Sequence, residues 1–477
     1  MLRSAESHPE TDLFDEQALA AAAHDFFVRK QPIWIARAPG RLDVMGGNVD
    51  YTGGMVLPSL LREAIWVAVQ PRTDDRIRIL NPGAVQFGWE PYIELRVDDL
   101  SSPQGLRHFS EQKQGLRWSC YVLGALYFLK SNYGWGRSGG ANLFIASDLP
   151  PNKGVSSSAA LEIAALKAAA AAYGVSLDGV ALATAGQWTE NVVVGAACGI
   201  MDQAAIVMGR QDHLLPMLCQ PCRPLPPVRL SAGIQIWGID SMVSRSTTGA
   251  AYEKARAAAF IGYKLICQRD HIDVVPDKAS EIPRWTDSRW KGYLSNLAPS
   301  EFRAKYERWL PEFLSGREFL DRAGEHVDPF TKIEPGTEYP VRAAVRYATE
   351  ENLRVQMMHA LLVAQSGSDS AIRLIGEIFC QSHTAYRECG LGSDECDELV
   401  ARAMKAGLPG AKMTGGGAGG VVAILGHTED RHTIHRIAQE YAAERGVMPY
   451  LFEGSSNGMD AFGVRVLTPS LKSTIAL

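Results

Sequence analysis

Nowhere in its 477 residues does the sequence hold an apolar run close to the roughly 20 residues that a membrane span needs. The opening stretch, MLRSAESHPETDLFDEQ, is polar and acidic and has no apolar core of a secretory leader, which predicts a cytoplasmic protein. Basic charge is not in excess either. The net charge is −5, so nothing argues for nucleic acid as a partner. Cysteine is sparse, eight in all, too few for a disulfide framework in a chain of this length. Cys219 and Cys222 form a lone C-x-x-C with no second pair and no histidines at matching spacing, so they read as ordinary thiols rather than zinc ligands. A Walker A pattern is also missing, which argues against a P-loop nucleotidase.

What is present is an ordinary globular chain, 46% hydrophobic and 21% charged, long enough for two or three domains. Residues 14–30 read as a helix. Ile33 to Ala38 is a short apolar run that stops at Pro39-Gly40, a strand followed by a turn. Residues 65–70, 76–80, 93–97 and 141–147 have strand length and patterning, and 116–130 has helical spacing. An alanine-dense helix at 159–173 is stopped by Gly174. Further on, strands are expected at 234–240, 420–425 and 461–467. Helices are expected near 250–268, 340–365, 370–388 and 393–406. Residues 271–335, rich in Trp, Pro and charge, read as an inserted, mostly helical excursion. Strands and helices mix without a regular βαβ rhythm, so the fold class is α+β.

The most informative stretch runs from Asp148 to Glu162: a strand leads through Lys153, Gly154 and the serines Ser156, Ser157 and Ser158 into a helix. Free N–H groups and the positive end of that helix favour an anion. Small residues let the backbone approach a polyphosphate, serine hydroxyls suit phosphate or Mg²⁺, and Lys153 adds a point charge. A capped helix is the plainer explanation, but one serine suffices for a cap. A second cluster, Thr414 to Gly420, contains G-x-G-x-x-G. It precedes the strand-like VVAIL, where a dinucleotide fingerprint requires a helix, so that reading fails and a tight glycine turn is left.

Three segments now stand in order: Ala38-Pro-Gly-Arg-Leu-Asp-Val-Met-Gly-Gly-Asn-Val-Asp-Tyr51, the serine loop Gly154–Ala160, and Lys412-Met-Thr-Gly-Gly-Gly-Ala-Gly-Gly420. Together they resemble the three motifs of the GHMP kinases. Cys198-Gly-Ile-Met-Asp-Gln203 and the P-G-R…D-Y pattern are similar to the galactokinase branch. RAPGRLDVMGG (37–47), WGID (237–240), GYLSNL (292–297), CGLGSD (389–394) and GAKMTGGG (410–417) are similar to the arabinokinase kinase domains within it. The resemblance implies a ribosomal-protein-S5-like N-terminal domain over residues 1–220. A ferredoxin-like C-terminal domain follows over 221–477, with sugar and ATP between them. The expected activity is that of an ATP-dependent sugar 1-kinase, with L-arabinose as the first candidate substrate. Galactose, a related hexose or a uronic acid is the alternative, and a catalytically inactive sugar sensor is the rival of another class.

Residue by residue, the resemblance makes Asp202 the catalytic aspartate and Arg41 the cation beside it and the transferred phosphoryl group. Ser158 and Glu190 match the Mg²⁺ ligands. Asp50, Gly199 and Tyr252 match sugar contacts, although Tyr252 also reads as a core tyrosine. Gly415, Gly416 and Gly417 join the serine loop around ATP. Two departures stand out. Galactokinases carry Glu-His where this chain has Gly47-Asn48, and those side chains meet the sugar's hydroxymethyl group. A pocket with glycine and asparagine there no longer demands that hydroxyl, which favours L-arabinose over D-galactose. Exchanging the pair for Glu-His is expected to move preference toward galactose.

Overall fold

The computed structural model describes residues 26–243, 249–278, 282–364 and 368–467. Residues 14–25 of the helix expected at 14–30 lie outside them, and residues 26–30 form turns and bends rather than helix. The main sheet is built on two long strands, β1 (Ile33–Met45) and β2 (Met55–Pro71), whose side chains are buried on both faces along almost their whole length. β3 (Arg76–Leu80) and β4 (Tyr92–Arg96) form an antiparallel pair with one wet face, and β3 runs parallel to β5 (Ala141–Ser147). Including the last strand, β10 (Val464–Leu467), the order is β10-β1-β2-β5-β3-β4.

Helix α2 (Ser157–Ala172) lies under this sheet, and helix α1 (Ser119–Tyr133) packs against α2. α2 is enclosed on nearly every side, which is why it is alanine-rich and lacks a polar stripe. Small side chains let it come close to β1 and β2 at once. It leads, through α3 (Gly179–Trp188) and a single π-helical turn at Thr189–Val194, to α4 (Met201–Met208).

A second, antiparallel sheet joins β7 (Gly410–Met413), β8 (Val421–His427), β6 (Ile234–Asp240) and β9 (Leu451–Phe452) in that order. Helices α5 (Ala250–Arg269), α6 (Val341–Val363), α7 (Asp369–Glu388), α8 (Asp394–Lys405) and α9 (Arg431–Arg445) are the long helices of the second half. One apolar core runs from the first sheet through to the second.

Three expectations need correction. The first strand does not stop at Pro39-Gly40 but continues to Met45. The ladder slips register between Pro39 and Arg41, so the missing proline N–H falls where no ladder bond is required. Gly40 fits because a Cβ there would sit 2.5 Å from Leu149. The segment 461–467 is not all strand: a short helix, Met459–Phe462, turns at Gly463 before β10. Residues 271–335 are not mostly helical. Their described part is largely irregular, with two-residue strand pairs and short helical pieces, the longest being Gly316–Ala323. Its buried aromatic residues close a separate apolar cluster, with Trp290, Phe302, Tyr306 and Phe319 packed on α5 and the start of α6. Aromatic burial, rather than helix periodicity, organises the segment.

Phe319 is fully buried in that cluster. Phe319→Ala should cost about 3–5 kcal/mol in denaturant unfolding. A loss near zero would mean that the cluster collapses freely around the gap.

Candidate active site

A cavity of about 780 Å³ opens between the serine loop, the glycine turn of the second half and the loop after β1. Gly154, Ser156, Ser157 and Ser158 line it on one side, Gly415 and Gly416 on another. Ser156 has left-handed backbone angles (φ 60°, ψ 41°) at the start of α2, yet its side chain makes no capping bond. Its hydroxyl instead donates to Asp202 Oδ2 at 2.5 Å. The capped-helix explanation of the serines therefore fails at Ser156. The first-turn N–H groups of α2 keep their free, positive end toward the cavity. Lys153 is not in the cavity wall. It pairs with Asp240 at the end of β6, 2.6 Å away, and so ties the serine loop to the second sheet.

Asp202 begins α4 and faces the cavity. Arg41 Nε donates to its Oδ1 at 2.8 Å, and Nη2 reaches the same oxygen at 2.7 Å. The third guanidinium nitrogen, Nη1, donates to the Gly154 carbonyl at 2.8 Å, and the Arg41 backbone N–H donates to Val155 O at 3.1 Å. Burial works against the arginine's charge, but Asp202, Asp43 and Asp50 more than offset it, and its pKa is raised. The result is a carboxylate held in one orientation by a charged fork and a hydroxyl.

Behind Ser158, two buried carboxyls share one amide. Gln203 Nε2 donates to Glu162 Oε1 and to Glu190 Oε2, each at 2.8 Å. Burial pushes Glu190 up to about 7, with the Asp202 charge adding to the rise. Burial and the neighbouring Glu190 charge hold Glu162 well above the usual carboxylate range. Glu162 Oε2 and Glu190 Oε1 are buried without hydrogen-bond partners. Glu190 stands in the π-helical turn, the kind of local distortion that re-aims a side chain. An unpartnered, hard carboxylate oxygen beside a serine hydroxyl fits a magnesium ion that keeps water and phosphate ligands. Among the described residues no cluster of three His, Cys, Asp or Glu is placed to hold a metal. Cys219 and Cys222 are free thiols.

On the far side of Asp202, the cavity is lined by Asn48, Asp50, Gly199 and Tyr252. Burial and the Asp202 charge push Asp50 up to about 6, against the pull of Arg256. Asn48 donates from Nδ2 to Gly415 O at 3.2 Å and leaves Oδ1 unpartnered. Gly47 and Gly417 are not in the wall. A Cβ at Gly47 would meet Tyr386 Oη at 1.9 Å and Asp43 Oδ2 at 2.2 Å, so the position points into a filled interior. Gly417 packs on Leu391. Glu-His in place of Gly47-Asn48 therefore has no room for its first side chain on this backbone, and the expected shift toward galactose does not follow.

Sequence reasoning missed the opposite end of the cavity. Phe87, Trp89 and Trp118 line it together with Asn81, and the Phe87 and Trp89 rings lie 5.0 Å apart. The FGW and RW pairs in the sequence were the available signal, but only the fold brings the two together.

The GHMP kinases N terminal domain is matched over residues 120–210, and the galactokinase galactose-binding signature over residues 24–71. Both matched segments form this cavity. The chain carries segments similar to the GHMP kinase N-terminal domain and to the galactokinase signature. It is 35% identical to an L-arabinokinase of Arabidopsis thaliana over 93% of its own length, and spans 47% of that relative. It is 27% identical to a galactokinase of Roseiflexus sp. (strain RS-1), covering 86% of this chain and 88% of that one. The GHMP kinase fold is also seen in a Lactococcus lactis galactokinase crystallised with galactose, at a TM-score of 0.73 and 23% identity. That likeness covers 93% of this chain and 98% of the other.

A Cβ at Gly199 would fall 1.9 Å from Asp50 Oδ2. Gly199→Ala should fold, displace the Asp50 carboxylate and weaken sugar binding about tenfold or more, with ATP affinity unchanged. Calorimetric titration with each ligand checks this, and equal losses for both would point to general damage.

Proposed function

We propose that this chain transfers the γ-phosphoryl group of ATP to the anomeric hydroxyl of a sugar, with L-arabinose as the preferred acceptor. The observation that carries the reading is the Arg41–Asp202–Ser156 arrangement, which faces the same cavity as the open end of α2. In this reading the segment up to about residue 220 supplies the serine loop and most of the sugar wall. The remainder supplies the glycine turn.

Asp202 orients the attacking hydroxyl and accepts its proton, within about 3 Å of the oxygen. Arg41 holds the Asp202 carboxylate by direct contact and offsets charge near the transferred group. The N–H groups at the start of α2, with Ser157, hold phosphate oxygens. Gly415 and Gly416 close over them from the other half without side chains in the way. Ser158 and Glu190 would hold Mg²⁺, whose chemistry is to neutralise β- and γ-phosphate charge. Phe87, Trp89 and Trp118 offer aromatic faces for the adenine, with Asn81 as a polar partner.

Preference for L-arabinose is supported by the plant relative named for that activity and by the neutral Asn48 in the wall. L-Arabinopyranose has the ring hydroxyls of D-galactopyranose without the hydroxymethyl group. No charged side chain at positions 47 and 48 would be left unpaired by its absence. A coupled ADP-release assay across a panel of free sugars tests the whole reading. Turnover of none of them would overturn it.

Asp202→Asn should keep the fold and bind sugar but lose on the order of 10²–10⁴-fold in kcat. A wild-type kcat would remove Asp202 from its role. The wild-type enzyme should favour L-arabinose over D-galactose by roughly 10–200-fold in kcat/KM. Gly47→Glu combined with Asn48→His should reduce kcat/KM for both sugars alike and lower the melting temperature. A selective gain in the galactose ratio would show that the side chain at 47 reaches the sugar after all.

A further inference from the structure

Among its described residues the excursion at 271–335 contributes none to the cavity wall, yet it grips the loop that carries Asp50 from two sides. On the first side Tyr51, the neighbour of Asp50, meets Tyr252 edge-on with centroids 5.9 Å apart. The Arg256 guanidinium lies 4.9 Å from the centre of the Tyr51 ring. Arg256, on α5, is only 3% exposed and is paired with Asp328 of the excursion. Nε donates to Oδ2 at 2.8 Å and Nη2 to Oδ1 at 2.9 Å. Thr331 Oγ1 donates to the same carboxylate at 2.7 Å, and the Phe330 ring lies 5.5 Å from the guanidinium.

On the second side, the Ser295 backbone N–H donates to Thr52 O at 3.1 Å, and the two hydroxyls are 2.8 Å apart. Tyr293 covers Gly53 so closely that a Cβ there would lie 2.3 Å from its ring. Asn352 of α6 fastens both strands of this contact. It donates to Ser295 O at 2.8 Å and accepts from the Met55 N–H at 2.9 Å.

We propose that the excursion is a positioning element for the sugar subsite, setting the place and the charge of the Asp50 carboxylate through the Arg256–Asp328 pair and the Ser295–Thr52 contacts. This rests on the reading of Asp50 as an acceptor of sugar hydroxyls. A buried, bidentate ion pair has one geometry, so Asp328 dictates where Arg256 stands and how much of its charge is left for its neighbours. Asp50 also faces Arg41 and Asp43 from β1, Asp202 from α4, Tyr252 from α5 and Cys219 after the first half. Of these surroundings only Arg256 answers to the excursion.

The test is sugar affinity by calorimetry, with L-arabinose and D-galactose and without nucleotide or metal, from about pH 5 to about pH 8. Sugar is held by ionised Asp50, so wild-type affinity should fall as pH drops through about 6. Asp328→Asn leaves more of the Arg256 charge for Asp50, and the midpoint should move down by about half a unit. Arg256→Met with Asp328→Leu removes the cation, and the midpoint should move up by a similar amount. Ser295→Ala, a small change that keeps the fold, should weaken sugar binding about three- to tenfold at neutral pH with ATP affinity unchanged. A merely structural role would lower melting temperatures without opposite midpoint shifts. If the wild type binds neither sugar, the sugar-kinase reading fails and this proposal with it. If it binds sugar, and the variants that fold keep its midpoint and affinity, only the positioning role is overturned.

Discussion

A single buried guanidinium holds the site together. Arg41 is 4% exposed and stands among Asp202, Asp43 and Asp50, whose mutual repulsion would otherwise spread the segments that carry them. Its three nitrogens reach α4 and the serine loop at once, while its backbone is part of β1. Three stretches that are far apart in the chain thus meet at one side chain. The strand that bears it is buried along its length, so the arginine cannot swing out to solvent. That rigidity keeps Asp202 at one angle to the cavity, as its proposed role as proton acceptor requires.

Much of this was legible beforehand because it depends on local patterns. The glycine and serine motifs, the alanine helix and the strands at 76–80, 141–147 and 234–240 each carry their signal within a short window. The run through Pro39-Gly40 was misread because the compensating register slip belongs to the partner strand, not to the residues themselves. The excursion was misread because aromatic packing against α5, set by the fold, overrides any local period. Gly47 was placed in the pocket by analogy, and the reason it lies outside is the Tyr386 hydroxyl, 339 positions further along the chain. The aromatic end of the cavity was invisible for the same reason: Phe87 and Trp118 are neighbours only in space.

The second theme is the density of acid around the site. Asp43, Glu162 and Glu190 are all but fully buried close to Asp202 and Asp50, against few cations. Lys412, completely buried over the Tyr386 ring, answers Asp43 from β7, just before the glycine turn of the second half. Gly415 N–H donates to the same carboxylate at 3.0 Å. Charge balance therefore crosses between the two sheets: Lys153 to Asp240, Lys412 to Asp43. In the proposed reading this makes the phosphate loop, the sugar wall and the glycine turn one electrostatic unit, and a substitution in any of them reaches the others.

The pairing of β10 with β1 has a consequence for how the molecule is made. Ile33 stands opposite Leu467, so β1 waits for a strand far along the chain before its outer edge is covered. During synthesis the hydrogen-bonding groups of Ile33 to Ala36 face solvent, beside the apolar cluster of Ile35, Trp66 and Phe144. An open, apolar sheet edge is the feature that invites pairing with a second nascent chain. The edge of β1 is therefore open to misassembly until β10 docks, although the residues that line the cavity all precede β10 in the chain.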